Sequence, residues 1–144
     1  METVVICFDT NVVLDTILRR EPHRAVATRL VYAVEESIIS GQLGATTLTT
    51  VYYIVQREYT AEEARRDVRD LLQTFNVAPV QRRVLENAAQ SNFSDYEDAV
   101  LHEAARESGA DGIVTRNTDD FAPATLSIHT PRELVHGIDG SLSF

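Results

Sequence analysis

The chain of 144 residues lacks lysine entirely, and all 13 of its basic residues are arginines. It has no tryptophan and a single cysteine, Cys7, so no disulfide can form within the chain. Acidic residues outnumber basic ones by 22 to 13, and the net charge is −9. This charge disfavours a surface that grips phosphate backbones by charge alone. It is still compatible with a nucleic-acid enzyme whose acidic site holds cations, or with a local arginine strip.

Long apolar runs are also missing. The first apolar stretch covers only residues 4–8, and no basic segment precedes it, so it predicts neither a signal peptide nor a membrane span. Hydrophobic residues make up 44% of the chain, which is enough for a buried core at this length. We therefore expect a single domain over residues 1–144, located in the cytoplasm and without a membrane partner.

Apolar segments typical of strands alternate with amphipathic segments along the chain. The predicted strands cover residues 3–8, 43–46, 76–80, 113–115 and 127–129. The predicted helices cover residues 11–20, 22–39, 48–58, 60–74, 81–91, 94–108 and a segment from 131 onward. Ser94 and Glu97 have the spacing of a capping box at the start of one of these helices. The alternation predicts a three-layer α/β/α fold with a central parallel sheet of four to five strands.

The first acidic residue of interest, Asp9, directly follows the first apolar stretch and precedes Thr10 and Asn11. A carboxylate at that depth is costly unless it is paired, hydrogen-bonded or bound to a metal. Asp is also a preferred helix N-cap, and a helix is predicted to follow at once. Asp9 on its own therefore supports a ligand role and a capping role equally.

A second acidic group lies at the start of a later helix. Asp95 and Asp98 are spaced i, i+3 and share one face of its first turn. Acids there suit the helix dipole, which is a sufficient account of Asp95 and Glu97. Asp98 shares a face with Leu101 and Ala105, so we expect its carboxylate to point inward, where it needs a partner.

A third polar group follows the fourth predicted strand. It consists of Asn117, Asp119 and Asp120. Asn and Asp are common turn residues, and a role in the turn is a sufficient explanation for Asp119. We expect Phe121 to pack inward and anchor the loop. Thr115 either offers its hydroxyl to a ligand or simply ends the strand.

Ligands of parallel α/β sheets bind beyond the carboxyl ends of the strands, and the predicted fold brings these acidic groups to that edge. Converging carboxylate and amide oxygens favour Mg²⁺ or Mn²⁺, which can activate water and neutralise charge on a phosphodiester. Three other Asp-bearing or phosphate-binding folds are disfavoured because each needs a lysine. They are the haloacid-dehalogenase-like phosphatases, the receiver domains and the P-loop nucleotidases.

The order and spacing of these motifs resemble the PIN domain family, which includes the VapC-type toxins and many other ribonucleases. The matching segments are residues 8–15, 95–100 and 113–121, together with the closing Thr-Pro-Arg-Glu-Leu at 130–134. The resemblance implies a PIN-like fold and a Mg²⁺- or Mn²⁺-dependent endoribonuclease that hydrolyses RNA phosphodiester bonds.

The resemblance also implies roles for individual residues. Asp9, Asp98 and Asp120 match the acidic residues that hold metal and carry catalysis. Asn117, where many members have Asp, and Asp95 are expected to assist as ligands. The residues expected to support the site are Asn11, Thr50, Thr115 and Arg116, the last of which could touch a phosphate.

One segment departs from the family pattern. Many members have a glutamate early in the helix after the second strand, whereas residues 46–53 read Thr-Thr-Leu-Thr-Thr-Val-Tyr-Tyr. We expect a hydroxyl such as that of Thr50 to face the site instead. The alternative function is therefore a PIN-fold module that binds RNA or protein and cuts weakly or not at all.

The expected partners also follow from the resemblance. It implies an RNA substrate, a homodimer, and a role as the toxin of a type II toxin–antitoxin pair, in which a small antitoxin protein would block the acidic groove. We expect Tyr52, Tyr53 and Tyr59 to serve packing or dimerisation rather than stacking on RNA bases.

Overall fold

The computed structural model describes residues 3–140. Five parallel strands form one sheet in the order β3-β2-β1-β4-β5. The strands are β1 (Val5–Phe8), β2 (Ser40–Gly44), β3 (Asn76–Ala78), β4 (Gly112–Val114) and β5 (Ser127–His129). The helices are α1 (Thr10–Ile17), α2 (Arg24–Glu35), α3 (Ala45–Glu58), α4 (Ala61–Thr74), α5 (Arg82–Ala89), α6 (Tyr96–Glu107) and α7 (Pro131–Gly140), and a 3₁₀ helix spans Thr118–Phe121. The predicted α/β/α fold with a parallel sheet is confirmed.

The strand β1 lies at the centre of the sheet, between β2 and β4. Its register places Cys7 beside Gln42 of β2 and Ile113 of β4. Ile6, Cys7 and Phe8 are fully buried, as expected for a parallel strand covered on both faces. Because all five strands run in the same direction, the chain leaves β1 and β4 at the same edge of the sheet.

Helices cover both faces of the sheet. On one face, α1, α2, α3, α4 and α7 enclose the larger core, in which Phe8 meets Phe75 edge-on with ring centroids 5.0 Å apart. On the other face, α5 and α6 cover smaller clusters that include Cys7 and Phe121. Burial raises the pKa of the Cys7 thiol to about 12, and nearby Asp9 adds to the effect. Cys7 is therefore an inert packing residue.

The segment between α1 and α3 differs from the prediction. α2 is shorter than predicted because the chain turns at Ser37, which adopts a φ of 60°. β2 begins at Ser40 instead of residue 43, and α3 follows directly after it. Gly41 lies within β2, where an added Cβ would stand 2.7 Å from the ring of Phe75. This glycine allows close packing across the sheet and does not mark the end of α2.

The start of α6 also differs by one residue. Asp95 is the N-cap, and its Oδ1 accepts a hydrogen bond from the N–H of Asp98 at 3.2 Å. The predicted capping box of Ser94 and Glu97 is therefore wrong. Asp is as favourable an N-cap as Ser, because its carboxylate can accept a hydrogen bond from a free N–H in the first turn of the helix.

The three tyrosines behave differently from one another. Tyr52 is partly buried against the larger core, so the packing role predicted for it is confirmed. Tyr53 and Tyr59 are 67% and 56% exposed, and a dimerisation role for them stays a prediction. Across residues 3–140, none of the helices combines the length and the apolar character that crossing a bilayer would require.

Candidate active site

An open cleft of about 270 Å³ lies at the carboxyl edge of the sheet, where β1, β2 and β4 end. Within residues 3–140, the side chains that line it include no arginine or histidine. We call it the acidic cleft, because its lining includes the carboxylates Asp9, Asp95, Glu97, Asp98 and Asp120. The remaining lining residues are Thr10, Asn11, Leu14, Thr46, Thr47, Thr50, Ile54, Leu101 and Asn117.

Asp9 is placed by the end of β1 and the start of α1. Its N–H donates to the carbonyl of Val114 on β4, which fixes its backbone against the neighbouring strand. Its Oδ1 accepts from the N–H of Thr10 at 2.8 Å, and its Oδ2 accepts from the hydroxyl of Thr115 at 2.8 Å. Asp9 therefore caps α1, which confirms the capping role, and it also lines the cleft. Its role as a ligand stays a prediction.

Asp98 lies on the first turn of α6 and is partly buried. Its pKa is raised to about 7, first by burial and then by the negative charges of Asp9, Asp95, Asp120 and Glu97. The expectation that this carboxylate points inward is met, because it lines the cleft beside Leu101. Burial also raises the pKa of Asp9, although the hydrogen bonds to its oxygens act in the opposite direction.

The segment after β4 brings in the remaining predicted ligands. Asn117 and Asp120 both line the cleft, and the N–H of Asp120 donates to the carbonyl of Asn117. Phe121 is buried and meets Phe93 edge-on, so the predicted anchoring of this loop is observed. Asp119 is exposed and is not among the residues that line the cleft.

The predicted supporting residues fall into different places. Asn11 lines the cleft, and its Oδ1 lies 3.5 Å from Nη1 of Arg20. Thr50 also lines it, although its hydroxyl donates to the carbonyl of Thr46. Thr115 is fully buried behind the cleft and contacts Asp9, which makes it a support for that carboxylate.

Arg116 does not line the acidic cleft, in contrast to the neighbouring Asn117. Its Nε and Nη2 donate to the two carboxylate oxygens of Asp15 at 2.7 and 3.3 Å. Asp15 is 1% exposed, whereas the Arg116 side chain is 26% exposed, so this bidentate ion pair is buried on the carboxylate side.

Glu97 is the cleft residue that sequence reasoning missed. It was interpreted as a capping-box partner, but its exposed side chain lines the cleft beside Asp95 and Asp98. The sequence feature that could have revealed Glu97 is the choice of N-cap for α6. If Asp95 rather than Ser94 is the N-cap, Glu97 is the second residue of the helix and is free to face the same opening as Asp98.

The donor set of the cleft suits a hard divalent cation. Within residues 3–140, no three His, Cys, Asp or Glu side chains stand together as a ready group of metal ligands. The oxygens of carboxylates, an amide and hydroxyls are nevertheless the donors that Mg²⁺ and Mn²⁺ prefer. The pKa of Asp98 is raised first by burial and then by repulsion from the neighbouring carboxylates, and a bound cation would relieve that repulsion.

Comparison with known proteins identifies the family. A family model described as the PIN domain matches residues 5–119, most of the chain. The chain belongs to the PIN domain family. The predicted resemblance is therefore confirmed, and the segments that carry Asp9, Asp98 and Asn117 all lie within the match. A comparison with curated protein sequences gave no match.

Several solved structures share the fold of this PIN domain at low sequence identity. VapBC2 from Rickettsia felis, bound to a promoter DNA fragment, superposes with a TM-score of 0.69 at 12% identity over 88% of this chain and 98% of that one. A toxin–antitoxin complex from Klebsiella pneumoniae gives 0.67 at 22% identity over 88% and 97%. VapC20 from Mycobacterium tuberculosis, described as a toxin that cleaves the sarcin–ricin loop, gives 0.61 at 16% identity over 75% and 86%.

Proposed function

We propose that this PIN domain protein is a divalent-cation-dependent endoribonuclease and the toxin of a type II toxin–antitoxin pair. The observation that carries the proposal is the acidic cleft, which is lined by carboxylates from the end of β1, from the start of α6 and from the loop after β4. Burial, and then these neighbouring charges, raise the pKa of Asp98 there to about 7. A cluster of this kind is unfavourable unless a cation neutralises it, and it lies at the sheet edge where α/β folds bind ligands.

In this proposal, Asp9, Asp98 and Asp120 bind Mg²⁺ or Mn²⁺, while Asn117 and Asp95 assist. A divalent cation at this position would supply a Lewis acid that activates water and neutralises charge on the phosphodiester. The protein's own groups orient these ligands. Thr115 holds the Asp9 carboxylate through a hydrogen bond, and burial of Phe121 holds the loop that presents Asp120. Asn11 and Thr50 line the space next to the substrate.

The biological role draws support from the proteins that share the fold. The Mycobacterium tuberculosis neighbour is described as a toxin that cleaves the sarcin–ricin loop, and the Klebsiella pneumoniae neighbour as a toxin–antitoxin complex. By analogy, we propose an RNA substrate, a cognate antitoxin protein as partner, a homodimer and a cytoplasmic location. The assignment as a nuclease rests on the cleft, whereas these finer features rest on the analogy.

The nuclease is tested by incubating purified protein with a set of structured RNAs in Mg²⁺, Mn²⁺ or EDTA. We expect cleavage that requires metal and is lost in Asp9→Asn and Asp98→Asn. Asp120→Asn should also lose it, whereas Asp119→Asn, which removes the neighbouring exposed carboxylate, should retain it. If Asp120→Asn cleaved RNA as well as Asp119→Asn and the wild type do, Asp120 would be excluded from the site.

A second candidate function is a PIN-fold module that binds RNA or protein without cutting. It is favoured by Thr46, Thr47 and Thr50, which line the cleft where many relatives are expected to have a glutamate. Glu97 weakens this argument because it adds an unexpected carboxylate to the same cleft. The non-catalytic function would be preferred if calorimetry detected no metal binding and no RNA in the set were cut.

The toxin role needs its own experiment. Induced expression of the wild type should arrest growth of a host strain, and Asp9→Asn should not. Co-expression with the product of an adjacent small gene should restore growth and yield a stable complex on purification. If neither relief nor a complex were observed, the toxin role would be lost while the nuclease assignment could stand.

A further inference from the structure

A second groove, of about 460 Å³, lies beside the acidic cleft and has the opposite electrostatic character. Within residues 3–140, no carboxylate is among the residues that line it. Its polar lining includes Arg116, Arg132 and His23, and we call it the arginine groove. Its lining is completed by Thr130 and by the apolar residues Pro22, Val26 and Pro131.

A short backbone segment connects the arginine groove to the acidic cleft. Thr115 is hydrogen-bonded to Asp9 behind the cleft, Arg116 lines the groove, and Asn117 lines the cleft again. Consecutive residues thus face the two sites. An extended polyanion with one phosphate in the acidic cleft would therefore have neighbouring phosphates within reach of the groove.

Arg116 is held in a fixed position at this junction. Two of its nitrogens, Nε and Nη2, bind the buried carboxylate of Asp15, and Nη1 takes no part in that ion pair. An arginine whose guanidinium plane is already fixed loses little side-chain entropy when it binds a further oxygen. Arg132 differs, since it lies exposed on the first turn of α7 and can adjust to a ligand.

The apolar part of the groove suits a flat ring. Pro22 and Pro131 contribute rigid rings, and Val26 of α2 contributes a partly buried apolar side chain. Thr130 is fixed because its hydroxyl accepts from the N–H of Glu133 at 3.1 Å. Ligand sites commonly combine such an apolar surface with a few polar groups that set orientation.

We propose that the arginine groove binds one nucleotide of the RNA substrate next to the scissile phosphate. Arg116 and Arg132 contact phosphate oxygens, and the base packs on Pro22, Val26 and Pro131. This inference deepens the proposed nuclease function and rests on it. RNA is preferred over an acidic peptide because Arg116 of the groove directly precedes Asn117 of a cleft suited to phosphodiester chemistry. With a net charge of −9, the chain also needs local cations to hold a polyanion.

The test uses a short, single-stranded 2′-O-methyl oligoribonucleotide of mixed sequence in Mg²⁺ buffer. Because attack by a cation-activated water does not need the 2′ hydroxyl, gel electrophoresis after each titration checks that the probe is intact. Binding to the wild type, Arg132→Gln and Arg82→Gln is followed by fluorescence anisotropy over a range of salt concentrations. Arg82 is a matched control because it is exposed on α5, at the opposite face of the sheet. We expect Arg132→Gln to weaken binding several-fold and to reduce the salt slope by about 0.7, the value for one phosphate of a single strand. Arg82→Gln should bind like the wild type.

A crosslinking measurement tests the base contact without relying on a variant. An oligoribonucleotide of the same type that carries 4-thiouridine is irradiated with the wild type, and the crosslinked peptides are identified by mass spectrometry. Crosslinks to residues 22–26 or 130–132 support the groove as a nucleotide site. Crosslinks confined to other segments, or identical salt slopes for the Arg132 and Arg82 variants, overturn the proposal.

The outcomes separate this inference from the proposed function. RNA cleavage by the wild type together with unchanged probe binding by Arg132→Gln would overturn the nucleotide site and leave the nuclease standing. Probe binding that depends on Arg132, without cleavage of any RNA, would support the site and count against the nuclease. If Arg132→Gln weakened only the binding of a co-purified antitoxin, the groove would be a protein contact and the proposal would be wrong.

Discussion

The hydroxyl of Thr115 donates a 2.8 Å hydrogen bond to Oδ2 of Asp9, and this bond joins the ends of two neighbouring strands. The same hydroxyl accepts from the N–H of Asn117 at 3.0 Å. One buried oxygen therefore links the first acid of the cleft to the loop that carries two further predicted ligands. Second-layer contacts of this kind orient metal ligands and set their basicity.

Replacement of Thr115 by Val should test this link, because Val has nearly the same shape but no hydroxyl. We expect Thr115→Val to weaken Mg²⁺ binding about 10-fold and to lower the free energy of unfolding by about 1–3 kcal/mol, since Asp9 and the N–H of Asn117 lose a partner. Thr115→Ser should restore both. Calorimetry and urea denaturation provide the two measurements. Equal metal affinity of the Val and Ser variants would show that Thr115 does not orient Asp9.

The meeting of the acidic groups could be predicted from the sequence. Asp9 follows β1 and Asn117 follows β4, and in a parallel sheet such positions lie at one edge regardless of side-chain detail. Asp98 could be assigned an inward direction because it shares a helical face with Leu101. These conclusions require only the periodicity of strands and helices and the common direction of the strands.

The rest depends on contacts between residues distant in the chain. Gly41 lies in β2 because Phe75, from the end of α4, occupies the space of a Cβ, and no local pattern contains that information. Which of Arg116 and Asn117 lines the acidic cleft also depends on a contact with a distant residue. Arg116 is drawn away from the acidic cleft by Asp15, whose burial in α1 could not be seen from its neighbours.

The titration of Asp98 predicts how stability depends on pH. Its pKa is raised from 3.8 to about 7 by burial and by neighbouring carboxylates, so the folded protein binds this proton more tightly than the unfolded chain. That contribution to stability is complete at low pH and is lost as the pH rises through about 7. In EDTA, Asp98→Asn should therefore have a higher Tm than the wild type at pH 8, and a smaller difference at pH 5. A lower Tm for the variant at pH 8 would contradict this account.

Added cations should act on the same carboxylate. Mg²⁺ must displace the proton of Asp98, so we expect it to raise the Tm of the wild type more at pH 8 than at pH 6. In Asp98→Asn, the rise should be small at both values. Asp119→Asn provides the control, because this exposed acid is outside the cleft residues and should leave the wild-type response unchanged. Equal Mg²⁺ responses of the two variants would remove Asp98 from the metal site.

The ion pair between Arg116 and Asp15 should make Arg116 important for stability. Arg116→Met leaves a carboxylate that is 1% exposed, with only Arg20 nearby at 3.9 Å. We expect a loss of about 3 kcal/mol in the free energy of unfolding, at the low end for a broken buried ion pair, because the buried carboxylate keeps only the longer contact with Arg20. The double variant Asp15→Leu/Arg116→Met should recover most of the loss, and urea denaturation of all three proteins measures both effects. Additive losses in the double variant would mean that the two side chains stabilise the fold independently.

His102 provides the last test, because it connects α6 to the loop beyond Asp120. Its ring is 2% exposed, its Nε2 accepts from the N–H of Thr125 at 3.0 Å, and its Nδ1 lies 2.9 Å from a carboxylate oxygen of Glu103. An unprotonated Nε2 is required for the first bond, so Nδ1 carries the proton and donates to Glu103.

We expect His102→Leu to leave the Thr125 N–H without its acceptor and to lower the free energy of unfolding by about 1–3 kcal/mol. His102→Gln, whose amide oxygen can occupy the place of Nε2, should retain most of this stability and of the hydrogen bond from the Thr125 N–H. Amide hydrogen exchange at Thr125 measures the contact directly, since exchange there should accelerate in the Leu variant well before α6 opens. If exchange were equally slow in both variants, packing of Phe121 against Phe93, rather than His102, would be what fixes the loop that presents Asp120.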